Sequence, residues 1–224
     1  MNARLAGLLY LVVAICGGFA ELAARGSIKA ADDVAQALRD SADLMKIAFA
    51  ADVVAYACFL LVGLALYALF KDVHRFAAVA MLTMNAVSVA IQSLNLVNHA
   101  GAGLAAQRGA DELAVLFLDL HGVGYLVAQV FFGGWLIPLG YLVVRSGTVP
   151  RIFGYALMVG GVGYLLGLVV ELAVPGADGV ALALGLVGGL SEIAFLVWLL
   201  AKGAEGIAPV LRAREPETHP VTQL

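Results

Sequence analysis

The sequence predicts an all-α membrane protein, a polytopic bundle of six transmembrane helices with both termini in the cytoplasm. Hydrophobic residues make up 62% of the 224 residues and charged residues 13%, and the mean hydropathy is +0.97. Soluble domains contain about 45–50% apolar and about 25% charged residues, so a soluble chain of this size could not bury so much apolar surface. Six apolar segments separated by polar breaks supply the second observation, and the distribution of Lys and Arg among those breaks supplies the third.

Each apolar segment reaches the length of about 20 residues that a helix needs to cross the hydrocarbon core. The segments are Leu5–Ala24, Leu44–Phe70, Phe76–His99, Leu113–Val144, Ile152–Val174 and Val180–Ala201. Most breaks are short, so consecutive helices are predicted to pack antiparallel. Pro138 predicts a kink in the fourth segment. Residues 1–202 therefore form a transmembrane domain, and the polar, proline-interrupted residues 203–224 form a cytoplasmic tail that is predicted to be disordered.

The basic residues predict the orientation, because cytoplasmic loops carry an excess of Lys and Arg. One side of the predicted bundle holds Arg4, Lys71, Arg75, Arg145, Arg151, Lys202, Arg212 and Arg214. The other side holds Arg25, Lys29, Arg39, Lys46 and Arg108, diluted by Asp32, Asp33, Asp40, Asp43, Asp111 and Glu112. The first side is predicted to be cytoplasmic. The lipid bilayer is thus the expected partner, and the net charge of −3 without a basic patch excludes nucleic acid.

Ionisable residues inside the apolar segments are the main functional signal. They are Glu21, Asp52, His99, Asp119, His121, Glu171 and Glu192. All of them fall in the predicted outer half of the membrane or near its midplane. A charged side chain there costs about 2.5–3.5 kcal/mol on insertion scales, so such residues usually face the bundle interior and have a function. Arg25 lies one turn from Glu21 and predicts an ion pair, whereas Asp52 has no evident partner in the sequence.

The third segment carries a polar stripe, Asn85, Ser88, Gln92, Asn95 and His99, at spacings of three and four residues that place all five on one helix face. Two interpretations remain open. The stripe joins helices by hydrogen bonds, at about 0.6 kcal/mol each, or it lines a hydrated cavity. Asp119 and His121 lie about 200° apart on an ideal helix. We expect Asp119 to face the stripe, and His121 to pack beside aromatic rings and bond a carboxylate of a neighbouring helix.

Three functions fit these residues. The first is the binding or transport of a small solute, cationic or a proton, in an acidic polar pocket in the outer half of the bundle. Its lining would be Glu21, Asp52, Gln92, Asn95, His99, Asp119, His121 and Glu192. The second is a membrane-embedded metal-dependent hydrolase, in which His99, His121, Asp52 and Asp119 hold a divalent metal such as zinc, although no HExxH pair occurs. The third is a structural or sensory subunit without ligand chemistry. A homo-oligomer is compatible with each.

Several stretches resemble a known bacterial membrane family. They are "RLAGLLYLVVAICGGFAEL", "FAADVVAYACFLLVGLALYALF", "LFLDLHGVGYLVAQVFFG" and "GYLVVRSGTVPRIFGYAL". They are similar to the domain of unknown function 4386 over roughly residues 4–200, and the most specific pieces are Asp119–Tyr125 and Tyr141–Gly154. The resemblance implies a multi-pass helical protein of the bacterial cytoplasmic (inner) membrane. It implies no activity, cofactor or ligand.

The predicted orientation can be tested by labelling single cysteines in intact cells. Cysteine placed at Asp40 should react with a membrane-impermeant maleimide, because that loop is predicted to be external. Cysteine placed at Thr148 should react only after the membrane is permeabilised. The background would carry alanine at Cys16 and Cys58. The reverse labelling pattern would contradict the positive-inside assignment.

Overall fold

A computed structural model describes residues 3–202 of the chain as nine α-helices and one π-helical segment. The elements are α1 (Ala3–Gly18), the π-helical segment (Phe19–Arg25), α2 (Gly26–Lys29), α3 (Val34–Asp40), α4 (Ala42–Phe70), α5 (Arg75–Gln107), α6 (Asp111–Gly134), α7 (Leu136–Ser146), α8 (Arg151–Ala173) and α9 (Asp178–Lys202). The predicted tail lies outside the described residues.

Six helical stretches are long and apolar enough to cross a membrane, which confirms the predicted number of spans. They are Ala3–Lys29, Ala42–Phe70, Arg75–Gln107, Asp111–Ser146, Arg151–Ala173 and Gly179–Lys202. The short helix α3 lies between the first two spans. We call the end of the bundle that contains α2 and α3 the Arg25 end, and the opposite end the Lys71 end. By the predicted orientation, the Arg25 end is external.

The spans form a closed ring in which each packs on its neighbour in sequence and α9 returns to pack on α1. Large apolar and aromatic side chains fill its centre, with Tyr10, Phe59, Trp135, Leu136 and Phe195 all buried in one cluster. A second, smaller cluster near the Arg25 end joins α2 and α3 to α5 and α6.

Two of the spans are not regular α-helices. The first span changes to π-helical geometry after the glycine pair Gly17–Gly18, and the N–H of Gly26 bonds the carbonyl of Glu21 five residues earlier. The fourth span is interrupted at Trp135, three residues before Pro138, so it consists of α6 and α7. A proline has no N–H to give to the preceding turn, which explains the interruption. Both irregularities lie where polar or aromatic side chains project into the bundle.

The polar stripe of α5 ties three spans together through backbone acceptors. The Asn85 side chain donates to the Phe59 carbonyl of α4 at 3.1 Å, and Asn95 donates to the His121 carbonyl of α6 at 2.7 Å. Ser88 donates to Ala128 of α6 at 3.3 Å. The stripe therefore joins helices, as one of its two interpretations predicts. Gln92 and His99 also take part in the polar site described below.

Because the Asn95 side chain packs directly against Gly124 of α6, we expect that no larger residue fits at position 124. A Cβ at Gly124 would collide with the Asn95 amide, whereas a Cβ at Gly103 of α5 would meet nothing within 4 Å. Gly124→Ala should lower stability by about 1–3 kcal/mol, since overpacking displaces the bonded amide. Gly103→Ala should be neutral or slightly stabilising, because alanine is the better helix former. Unfolding in mixed micelles measures both, and equal stabilities would contradict the packing described.

Candidate functional site

A buried guanidinium forms the centre of the polar site. Arg25, at the end of the π-helical segment, is only 1% exposed. Its Nε donates to Glu21 at 2.8 Å, and its Nη1 donates to Asp52 of α4 at 2.6 Å. The second terminal nitrogen lies 3.4 Å from the other Asp52 oxygen. The ion pair predicted between Glu21 and Arg25 is present, and the same arginine is the partner that the sequence did not reveal for Asp52.

His99 extends this network from the first two spans to the third. Its Nε2 lies 2.9 Å from the Met45 carbonyl, and its Nδ1 lies 3.2 Å from Nη1 of Arg25. A carbonyl can only accept and a guanidinium can only donate. Both contacts are therefore satisfied by one arrangement, a neutral imidazole with its hydrogen on Nε2. His99 thus links the Arg25 guanidinium to the backbone of α4 through hydrogen bonds.

His121 of α6 stacks edge-on against His99, with ring centroids 5.6 Å apart. Its Nδ1 donates to the Asn95 carbonyl at 3.2 Å, so its Nε2 is left as an acceptor. That Nε2 is buried and has no hydrogen-bond partner among residues 3–202. The prediction of a carboxylate partner for His121 is wrong, because the ring bonds the backbone carbonyl of Asn95 instead, while the Asn95 side chain bonds the His121 carbonyl.

A second polar group lies deeper in the bundle. Glu192 of α9 is 6% exposed, and its two carboxylate oxygens accept hydrogen bonds from the hydroxyls of Tyr10 and Tyr164. The Tyr164 bond is 3.1 Å long. Within the described part of the chain, Glu192 forms no ion pair with a Lys, Arg or His. It is therefore an acid held by phenols alone.

One cavity of about 360 Å³ connects the two polar groups. Its polar lining comprises Glu21, Arg25, Asp52, Gln92 and Glu192. Its aromatic lining comprises Tyr10, Tyr56, Phe59, Tyr125, Phe132 and Tyr164, and the glycines Gly17, Gly18 and Gly189 complete the wall. The cavity thus runs along the first span from the guanidinium network to Glu192.

The structure brings some predicted site residues to this cavity and keeps others away. Asp119 is exposed on the outer face of α6, so the expectation that it faces the polar stripe is wrong. The neighbouring positions of α6, Leu118 and His121, are buried and take the inward face. Asn95 and His99 are buried beside the site without lining the cavity.

The predicted metal centre is not assembled. Asp119 points away from the other three residues of the expected set, and the Arg25 guanidinium lies between Asp52 and His99 where a cation was expected. Across residues 3–202, no group of three or more His, Cys, Asp or Glu side chains has an arrangement that fits a metal ion. Arg25 is a site residue that was not among those predicted, although its spacing of four from Glu21 indicated the ion pair.

Six apolar spans around an internal cavity with charged lining define an integral, multi-pass membrane protein. A family model matches residues 5–203, nearly the whole chain. The chain belongs to the family described as domain of unknown function DUF4386. This confirms the resemblance seen in the sequence.

The chain is also similar to an uncharacterized protein of Archaeoglobus fulgidus, with 30% identity over 87 residues. That match covers 39% of this chain and 48% of the relative, so the chain spans about half the length of the curated relative that it matches. No solved structure matches the chain.

The hydrogen-bond network predicts that removal of the Arg25 guanidinium lowers the stability of the protein. Arg25→Met should destabilise the protein by about 3–5 kcal/mol, because Asp52 is left buried without its partner. The double variant Arg25→Met, Asp52→Leu should recover a large part of that loss. Arg39→Met is the matched control, since Arg39 pairs with Asp111 in a partly exposed ion pair and should cost less than about 1 kcal/mol.

Unfolding in detergent micelles, followed by circular dichroism, measures all three variants. An Arg25→Met protein as stable as Arg39→Met would show that the guanidinium does not hold the first three spans together. A double variant less stable than Arg25→Met alone would contradict the charge argument.

Proposed function

We propose that the protein binds a small organic cation in the cavity between Arg25 and Glu192. The observation that carries the proposal is the charge of the lining, in which three carboxylates face a single guanidinium. Arg25 bonds Glu21 and Asp52, and the Lys29 ammonium lies 3.8 Å from Glu21. Among residues 3–202, Glu192 is therefore the acid of the lining that has no cationic partner. Intramembrane carboxylates of this kind commonly mark the pathways of ions and charged solutes.

The aromatic wall supports the same ligand class. Tyr56, Phe59, Tyr125, Phe132 and Tyr164 line the space between the two polar groups. Faces of aromatic rings attract cations, by about 2 kcal/mol or more where water is excluded, and quaternary ammonium groups are common ligands of such cages. A metal ion or another strongly hydrated cation would find few oxygen ligands on this wall. An organic cation with apolar substituents fits it better.

The π-helical segment and the interruption at Trp135 favour transport of the cation over binding alone. The π-helical segment carries Glu21 and Arg25 at one end of the cavity, and Phe132 lines the cavity just before the interruption at Trp135. Interrupted spans lining an internal site are typical of transporters, in which they allow the site to change its access. We propose the bacterial cytoplasmic membrane as the location, with the Arg25 end outside.

Binding of octyltrimethylammonium to the purified protein in lipid nanodiscs tests the proposal. Its permanent charge removes any dependence on ligand protonation. Glu192→Gln should weaken binding by about 2 kcal/mol or more, roughly thirtyfold, because a desolvated charge pair is lost. Glu171→Gln is the matched control, since Glu171 is an exposed acid on α8 outside the cavity lining, and it should bind like the unaltered protein.

Isothermal titration calorimetry measures the affinity, and octanol serves as the uncharged comparison ligand. The proposal fails if octanol binds as tightly as the cation. It also fails if Glu192→Gln and Glu171→Gln bind the cation with equal affinity.

A further inference from the structure

The separation between α1 and α9, which form one wall of the cavity, increases from the Lys71 end toward the Arg25 end. At the Lys71 end the two helices are in close contact, and a Cβ at Gly7 would approach Leu200 to 3.1 Å. Tyr10, about one turn further along α1, and Glu192, about two turns further along α9, join the same helices by a hydrogen bond. Beyond them, Gly17 and Gly18 face open space, because a Cβ at either would meet nothing within 4 Å. The helices therefore leave a gap over the part of the cavity nearer the Arg25 end.

Apolar residues on the rim of this gap are exposed on the membrane-facing surface. Ala14 of α1 is exposed, and Ile193 of α9 is 53% exposed, although both line the cavity. Ala14 lies about 16 Å along the helix from Ala3, and Ile193 about 14 Å from Lys202. Because the hydrocarbon core is about 30 Å thick, both lie near its middle. We call the gap bounded by Ala14, Gly17, Gly18, Gly189 and Ile193 the lateral portal.

In contrast to the lateral portal, the Arg25 end of the bundle is covered by apolar side chains. Ile28 of α2 and Leu38 of α3 are each 1% exposed and pack with Ala102, Ala105 and Leu118 of α5 and α6. Arg25 itself is bonded on three sides beneath this cluster. A water-soluble ligand entering from that end would have to displace both the apolar cluster and the buried Arg25–Asp52 ion pair.

We infer that the ligand is a lipophilic organic cation, an ammonium group carrying an apolar chain, that enters from the bilayer through the lateral portal between α1 and α9. This inference rests on the proposed function and specifies its substrate class and route. The cationic group reaches Glu192 and the aromatic wall, and the chain extends through the apolar rim toward lipid. By the predicted orientation, the leaflet on the portal side is the outer one.

Chain length tests the substrate class. Octyltrimethylammonium and tetramethylammonium share one cationic group and differ only in the apolar chain. In nanodiscs containing the unaltered protein, the octyl compound should bind at least about tenfold more tightly, since its chain gains apolar contacts. Equal affinities would overturn the inference and leave cation binding standing. Absence of binding by both compounds would overturn the proposed function together with the inference.

The route is tested by narrowing the portal from its rim. Ile193→Trp should slow both association and dissociation of radiolabelled octyltrimethylammonium by about tenfold while its Kd changes by less than about threefold, because an obstruction on the path slows entry and exit alike. Leu190→Trp is the matched control, since Leu190 is 65% exposed on the same helix and does not line the cavity. It should leave both rates unchanged.

Ala14→Phe provides a second obstruction from the opposite rim and should slow the same two rates. A retained Kd shows that each variant is folded. Unchanged rates in both rim variants would overturn the lateral route, as would a stable dimer, detected by native mass spectrometry, that either rim variant dissociates. The latter result would mean that a second copy of the chain covers the portal.

Discussion

The burial of one guanidinium within the apolar bundle is the constraint on which the rest of the site depends. Arg25 is satisfied only because Glu21, Asp52 and His99 reach it from three successive spans. Desolvation of an ion costs several kcal/mol, so the arrangement is stable only when the geometry of every partner is held. The relative positions of the first three spans, and hence one end of the cavity, follow from that requirement. The π-helical segment is the local means by which one helix presents both Glu21 and Arg25 to this site.

The remaining polar residues fall into two groups. Some join helices by hydrogen bonds, and one is available to bind a ligand. Asn85, Ser88 and Asn95 give their hydrogen bonds to backbone carbonyls of α4 and α6, and glycines on those helices leave room for the two asparagines. These residues hold the bundle together, and none of the three lines the cavity. Glu192 is different, because within residues 3–202 its partners are two tyrosine hydroxyls, and phenols stabilise a carboxylate without balancing its charge. Cation binding is therefore proposed at the Glu192 end of the cavity.

The structure gives roles to several residues of Asp119–Tyr125, one of the two most specific pieces of the family resemblance. His121 packs on His99 and gives its carbonyl to Asn95, Gly124 leaves space for the Asn95 amide, and Tyr125 lines the cavity. Gly122 is close to the Lys29 ammonium, with 3.9 Å between that nitrogen and an added Cβ. Asp119 is exposed on the outer face of α6, as are Leu120 and Val123.

The sequence by itself determined the membrane location, the six spans and the polar stripe of α5, because hydrophobicity and helical periodicity are local properties. The Glu21–Arg25 pair was also predictable, since four residues make one turn. Only the tertiary structure decided which acids share a site. Asp52 meets Arg25 across 27 residues and Glu192 meets Tyr10 across 182, and no local pattern encodes such contacts. The rotation of α6 likewise decided that His121 turns inward and Asp119 outward. That rotation is set by how Asn95 and the glycines of α6 pack, and periodicity alone does not specify it.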